Sequence, residues 1–150
     1  MEKKSKSRSP EKFSGLVELM NYFSNEQKCV KYFTQKRWGE KIECPHCKHD
    51  KVYAFKDGKR YKCAKCRQLF NVKTGTIFED SKISLRKWFI AIYLVTSHKK
   101  GISSYQLSRD LKVTQKTAWF MLHRIRFALQ YGFEKPLGDV SGIVEIDETF

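Results

Sequence analysis

Four of the five cysteines in this chain fall into two Cys-x-x-Cys pairs, Cys44-Pro-His-Cys47 and Cys63-Ala-Lys-Cys66, separated by fifteen residues. That spacing matches a tetrahedral metal site: each pair occupies a tight turn that directs both sulfurs inward, and the intervening stretch returns the chain to close the shell. Thiolates suit both zinc and iron, and zinc is the expected ion at Cys44, Cys47, Cys63 and Cys66, as the metal most often held by this pattern. Two disulfides are the alternative and fit poorly. The amino terminus, MEKKSKSRSPEKF, has no apolar stretch to serve as a signal peptide or membrane span. A reducing cytosol leaves thiols free to ligate metal, so a cytoplasmic location without membrane is expected. The fifth cysteine, Cys29, lies in a helical stretch and reads as a packed thiol.

A second group of chemistry-bearing residues lies between Ser103 and Arg126. Leu107, Leu111, Val113, Ala118, Met121 and Ile125 are placed to hold two short helices together, as in a DNA-binding helix-turn-helix. A recognition helix turns its first residues toward base edges. Thr114 is then the N-cap, Gln115 a reader of adenine, Lys116 a contact to guanine or phosphate, and Thr117 a phosphate contact. Arg124 and Arg126 are expected on phosphates, and His123 on the surface or a phosphate. No second histidine stands at helical ligand spacing. Two features run against the pattern: Lys112 holds a turn position where glycine is favoured, and Trp119 and Phe120 are large for a groove-facing surface. The plain alternative is a three-helix bundle with a basic face.

Charge bears on the choice. Thirty Lys and Arg against sixteen Asp and Glu leave a formal charge of +14 in 150 residues, an excess that points to a polyanion, most commonly nucleic acid. No basic amphipathic helix with an exposed apolar face argues for a membrane surface.

The elements that must position these residues follow from local pattern. Residues 1–12 read as a disordered basic tail. Residues 13–38 read as helical, with Leu16, Leu19, Met20 and Phe23 on one side and a capping box at Ser24-Asn25-Glu26-Gln27 opening a second helix to about Thr34. Residues 42–73 form the ribbon. Its strands are expected at Lys51–Lys56, Lys59–Lys62 and Gln68–Val72, with Asp57-Gly58 as a two-residue hairpin turn. So small a sheet lacks the core to stand alone, and the metal supplies folding energy. Its expected role is scaffold, although Lys56, Lys59, Arg60 and Lys65 offer DNA contacts. Residues 84–131 carry three helices: Ser84 caps one over Leu85 to about Ser97, and two more run near Ser104–Leu111 and Gln115–Tyr131. A linker follows at 132–142, then a strand at 143–150.

The whole order resembles the insertion-sequence transposases with an N-terminal zinc ribbon and an RNase H-like DDE core. The resemblance is carried by the two cysteine pairs, by Phe70-Asn71-Val72-Lys73-Thr74-Gly75-Thr76-Ile77-Phe78, by Lys87-Trp88-Phe89, by the run from Lys116 to Arg126, and by Val144-Glu145-Ile146-Asp147-Glu148-Thr149. It implies a small multi-module α+β protein: N-terminal helices, a four-cysteine zinc ribbon, a helix-turn-helix domain, and the first strand of a truncated RNase H-like core. Asp147 matches the first catalytic carboxylate, one of several that hold two Mg2+ ions in a complete core for phosphodiester displacement. With the later carboxylates lacking, the chain is expected to be inactive alone. It would be the amino-terminal DNA-binding portion of a cut-and-paste or replicative transposase, nucleoid-associated and bound to double-stranded DNA at terminal inverted repeats. Self-association, or association with a full-length transposase, is a further expectation. The rival readings are a freestanding zinc-ribbon/helix-turn-helix transcription regulator, and a ribbon that serves as a protein-interaction module.

Overall fold

The computed structural model describes residues 13–56 and 58–132. The expected tail at 1–12, the linker beyond Gly132 and the strand carrying Asp147 lie outside them. The elements are α1 (Leu16–Tyr22), α2 (Glu26–Trp38), β1 (Val52–Ala54), β2 (Arg60–Cys63), β3 (Leu69–Asn71), α3 (Leu85–Ser97), α4 (Ser104–Leu111) and α5 (Gln115–Gly132).

Short polar side chains set the helix starts. Asn25 accepts from the Lys28 N–H, Ser84 from Lys87 and Ser103 from Gln106. The cap of α2 is therefore Asn25, one residue after the Ser24 cap that a capping box closed by Gln27 implies, and the helix opens on Glu26. The Glu26 carboxylate reaches to the N–H groups of Leu85 (2.8 Å) and Arg86 (3.3 Å) at the start of α3. The α2 helix also runs beyond the expected end at Thr34 to Trp38, where Gly39 takes φ 65. Trp38 explains the extra turn, since it packs against both the helical core and the ribbon core.

One apolar cluster joins helices from both sides of the ribbon. Leu19 and Phe23 near α1 and Cys29 of α2 are buried with Leu85 and Trp88 of α3, Leu107 of α4, and Ala118 and Met121 of α5. Phe23 and Phe33 both meet Phe89. The two helical stretches read separately from the sequence thus share a core, and the ribbon is an insertion between them.

The ribbon is a three-stranded antiparallel sheet in the order β1-β2-β3. Tyr61 faces Ala54 on one side and Phe70 on the other. Tyr61 and Phe70 stack at 5.6 Å, and Trp38 meets each ring edge-on at 6.1 Å. The β1–β2 connection is longer than the expected two-residue turn: Phe55 donates to the Arg60 carbonyl, and Gly58 donates to the Phe55 carbonyl. Gly58 does take positive φ (63°), while Asp57 lies outside the described residues.

Side chains from three helices hold the connection between β3 and α3. Arg37 of α2 donates to the Val72 carbonyl at 2.7 Å. Lys73 within the connection donates to the Ser81 and Ile83 carbonyls. Trp88 Nε1 of α3 donates to Ser81 Oγ at 3.0 Å, and Arg124 of α5 donates to the carbonyls of Ile77 and Glu79. Irregular backbone against a core needs such partners for its carbonyls.

Candidate metal centre and nucleic-acid interface

The two cysteine pairs adopt the same local geometry. In the first, the Cys44 N–H donates to the His49 carbonyl, and the residue after the second cysteine, Lys48, takes φ 55. In the second, the Cys63 N–H donates to the Gln68 carbonyl, and Arg67 takes φ 60. Each turn presents its sulfurs to the other pair. Cys44 and Cys66 Sγ lie 3.6 Å apart, and Cys47 and Cys63 Sγ 3.5 Å apart. All four sulfurs fall within 4.8 Å of one another. A tetrahedron of sulfurs about 2.3 Å from a zinc ion has edges of about 3.8 Å, so the cluster matches zinc coordination.

Electrostatics supports the same reading. Burial works against a charged Cys63, but N–H groups of Cys66 and Lys65 and the neighbouring thiols of Cys47 and Cys66 overcome it and draw Cys63 down to about 6. At Cys66 the Gln68 N–H favours the thiolate, yet burial and the sulfurs of Cys63, Cys44 and Cys47 push it up to about 12. One sulfur ionises readily and its neighbour then resists. Four thiolates this close require a cation among them. Zinc would be held by Cys44, Cys47, Cys63 and Cys66, which fill all four positions and leave none open for substrate, the arrangement of a structural site. Cys29 lies apart, its thiol donating to the Asn25 carbonyl at 3.3 Å.

The second candidate site sits where α4 meets α5. Leu107, Leu111, Ala118, Met121 and Ile125 are buried, as their spacing predicts, and Val113 is partly buried against them. Lys112 takes the left-handed conformation (φ 49, ψ 58) at the end of α4. A non-glycine residue there costs about 1–2 kcal/mol; the Val113 N–H, bonded to the Ser108 carbonyl, and the Lys87 ammonium, on the Lys112 carbonyl, hold the turn. The glycine-like geometry is therefore present without glycine.

The expected DNA-contacting residues divide. Thr114 Oγ1 accepts the Thr117 N–H and lies 2.8 Å from the Thr117 hydroxyl, so these two pair at the start of α5. Gln115 Nε2 donates to Ser104 Oγ, tying the first turns of α4 and α5 together. Lys116, His123 and Arg126 are exposed, with His123 against Trp119 at 4.1 Å. Arg124 departs from expectation. Its Nη1 is engaged by the Ile77 and Glu79 carbonyls at 2.9 and 2.6 Å, and its guanidinium lies 4.3 Å from the Phe120 ring. It holds α5 to the connection before α3 and is not part of the outward set. Trp119 and Phe120, large for a groove-facing surface, are 52% and 41% exposed.

The contacts of Glu26, Arg37 and Lys73 to backbone elsewhere in the chain were not legible in the sequence, because a charged side chain bonded to distant backbone leaves no periodic signal. Burial lowers the pKa of Lys73, opposed by the Glu26 carboxylate; burial likewise lowers Arg37, opposed by Glu79.

No helix among the described residues is long and apolar enough to cross a membrane. Residues 24–68 match the family described as the transposase zinc-ribbon domain, a range that holds α2 and both cysteine pairs. The chain is 34% identical over 131 residues to an uncharacterized protein in transposable element ISH50 of Halobacterium salinarum. That alignment covers 85% of this chain and 42% of the relative, so the chain spans less than half the length of the protein it matches. No solved structure matches the chain at a significant level. The ribbon is thus similar to a transposase zinc-ribbon domain, and most of the chain is similar to part of a protein carried by a transposable element.

Proposed function

We propose that this chain is the amino-terminal DNA-recognising part of a transposase, binding double-stranded DNA at the terminal inverted repeats of its element. The observation that carries the reading is the α4–α5 pair: a left-handed turn at Lys112, a tightly buried Ala118 between the helices, and Lys116 exposed in the first turn of α5. Such a helix presents its N-terminal end to a major groove. Lys116 is the base or phosphate contact, and Arg126 and His123 lie farther along on phosphates. Thr114 and Thr117 fix the first turn, and Gln115 sets the angle between the helices through Ser104. The zinc ribbon is the scaffold beside this unit, and Trp38 couples the two.

Asp147 lies outside the described residues, and its role as a first catalytic carboxylate holding Mg2+ belongs to the same proposal. One carboxylate cannot hold two divalent ions, so it acts only with acidic partners. A nucleoid-associated location and association with further transposase copies follow from the same reading.

Nuclease footprinting on DNA flanking the coding sequence tests it. Protection of a terminal inverted repeat is expected. Protection confined to a promoter operator would replace the proposal with a transcription regulator.

A further inference from the structure

The outward face of the ribbon carries a pattern that a scaffold does not need. Strand alternation buries Tyr61, Cys63 and Phe70 and turns their neighbours to solvent. The register sets Tyr53, Lys62 and Leu69 in one row across the three strands. In the next row the Phe55 N–H bonds the Arg60 carbonyl, and the Arg60 guanidinium lies 5.3 Å from the Phe55 ring. Tyr53, Phe55 and Leu69 are 56%, 40% and 58% exposed. Two aromatic rings, a leucine and two basic side chains thus share one open face.

We propose that this face binds single-stranded DNA, with bases stacking on Tyr53 and Phe55 and phosphates meeting Lys62 and Arg60. Charge selects a polyanion: between residues 42 and 73 the chain has nine Lys and Arg against three Asp and Glu. The rings then select its form. Bases in a duplex are already stacked on each other and offer only their edges, whereas an unpaired base offers a π-face that any exposed aromatic ring can cover. A sheet face bearing aromatic residues on alternate positions suits an extended strand. This surface lies on a different element from α5, so the inference does not depend on the duplex reading above.

The test is fluorescence anisotropy with a labelled oligothymidylate and, in parallel, a labelled duplex. The whole chain is used with zinc bound. Wild type should bind the single strand, and Tyr53→Ala with Phe55→Ala should weaken that binding at least tenfold while changing duplex affinity less than twofold. Tyr53→Phe should keep single-strand affinity within twofold, because the ring is what stacks. Neither alanine change touches a cysteine, and zinc stoichiometry with circular dichroism confirms that the fold persists. No single-strand binding by wild type overturns the proposal. Equal losses on both DNA forms also overturn it, leaving diffuse electrostatic attraction. Loss of duplex binding alone in wild type counts against the function proposed for α5 and leaves this inference standing.

Discussion

The Glu26 carboxylate accepts the backbone N–H of Leu85 at 2.8 Å, across 59 positions of sequence. With a second bond from Arg86, it caps the first turn of α3 from the side of α2. The chain leaves the helical core after Trp38, builds the ribbon, and is received back by a residue at the beginning of the helix it left. A negative charge at a helix N-terminus also complements the helix dipole.

Glu26→Gln should therefore lower stability by about 1–2 kcal/mol, a few degrees in Tm, by weakening this cap. Thermal melting by circular dichroism measures it, and zinc content should not change.

Metal removal should act locally. Cys63→Ser, or chelation of the wild type, should unfold the ribbon, because its small core of Tyr61 and Phe70 cannot stand without the four-sulfur centre. Helical content from α3 to α5 should largely remain. Trp38 packs on both cores, and its fluorescence should shift on chelation. A Cys63→Ser chain that retained stoichiometric zinc and its sheet would contradict the ligand assignment.

Arg124 and Lys116 should separate stability from binding. Arg124→Ala removes two bonds to carbonyls beside a half-buried guanidinium and should cost about 1.5–3 kcal/mol. Lys116→Ala should leave stability within about 0.5 kcal/mol. Urea unfolding of the two variants gives the comparison.

Cys29 should resist alkylation. Burial, and then the Glu26 carboxylate, push its thiol up to about 11, so at pH 8 it is protonated and enclosed. Mass spectrometry of chelated protein should show the four ribbon cysteines modified before it. A folded-state value above the ordinary thiol value of 9.0 means the folded chain holds its proton longer than the unfolded one. That stability is present below pH about 9 and is lost as pH rises toward 11. Cys29→Ala should flatten this alkaline decline.

Local pattern made much of the fold legible. The cysteine spacing predicted the cluster, and Ser84 marked the start of α3. Leu107, Leu111, Ala118, Met121 and Ile125 marked the α4–α5 packing. What stayed hidden was long-range. Nothing near Glu26 announces that it caps a helix beyond the ribbon. Arg124 looked like an outward arginine because helical periodicity does not show the carbonyls of Ile77 and Glu79 that reach it. The extra turn of α2 depends on Trp38 finding Tyr61 and Phe70, two rings carried by the inserted sheet.

The central claim is that α5 presents its first turn to duplex DNA. It is tested most directly by titrating a labelled terminal inverted repeat with wild type and Lys116→Ala across a series of salt concentrations. Specific binding should weaken steeply with salt, and Lys116→Ala should bind less tightly with a log–log slope reduced by about 0.9. Identical titrations for the two proteins, or equal affinity for the repeat and a scrambled duplex, would contradict it.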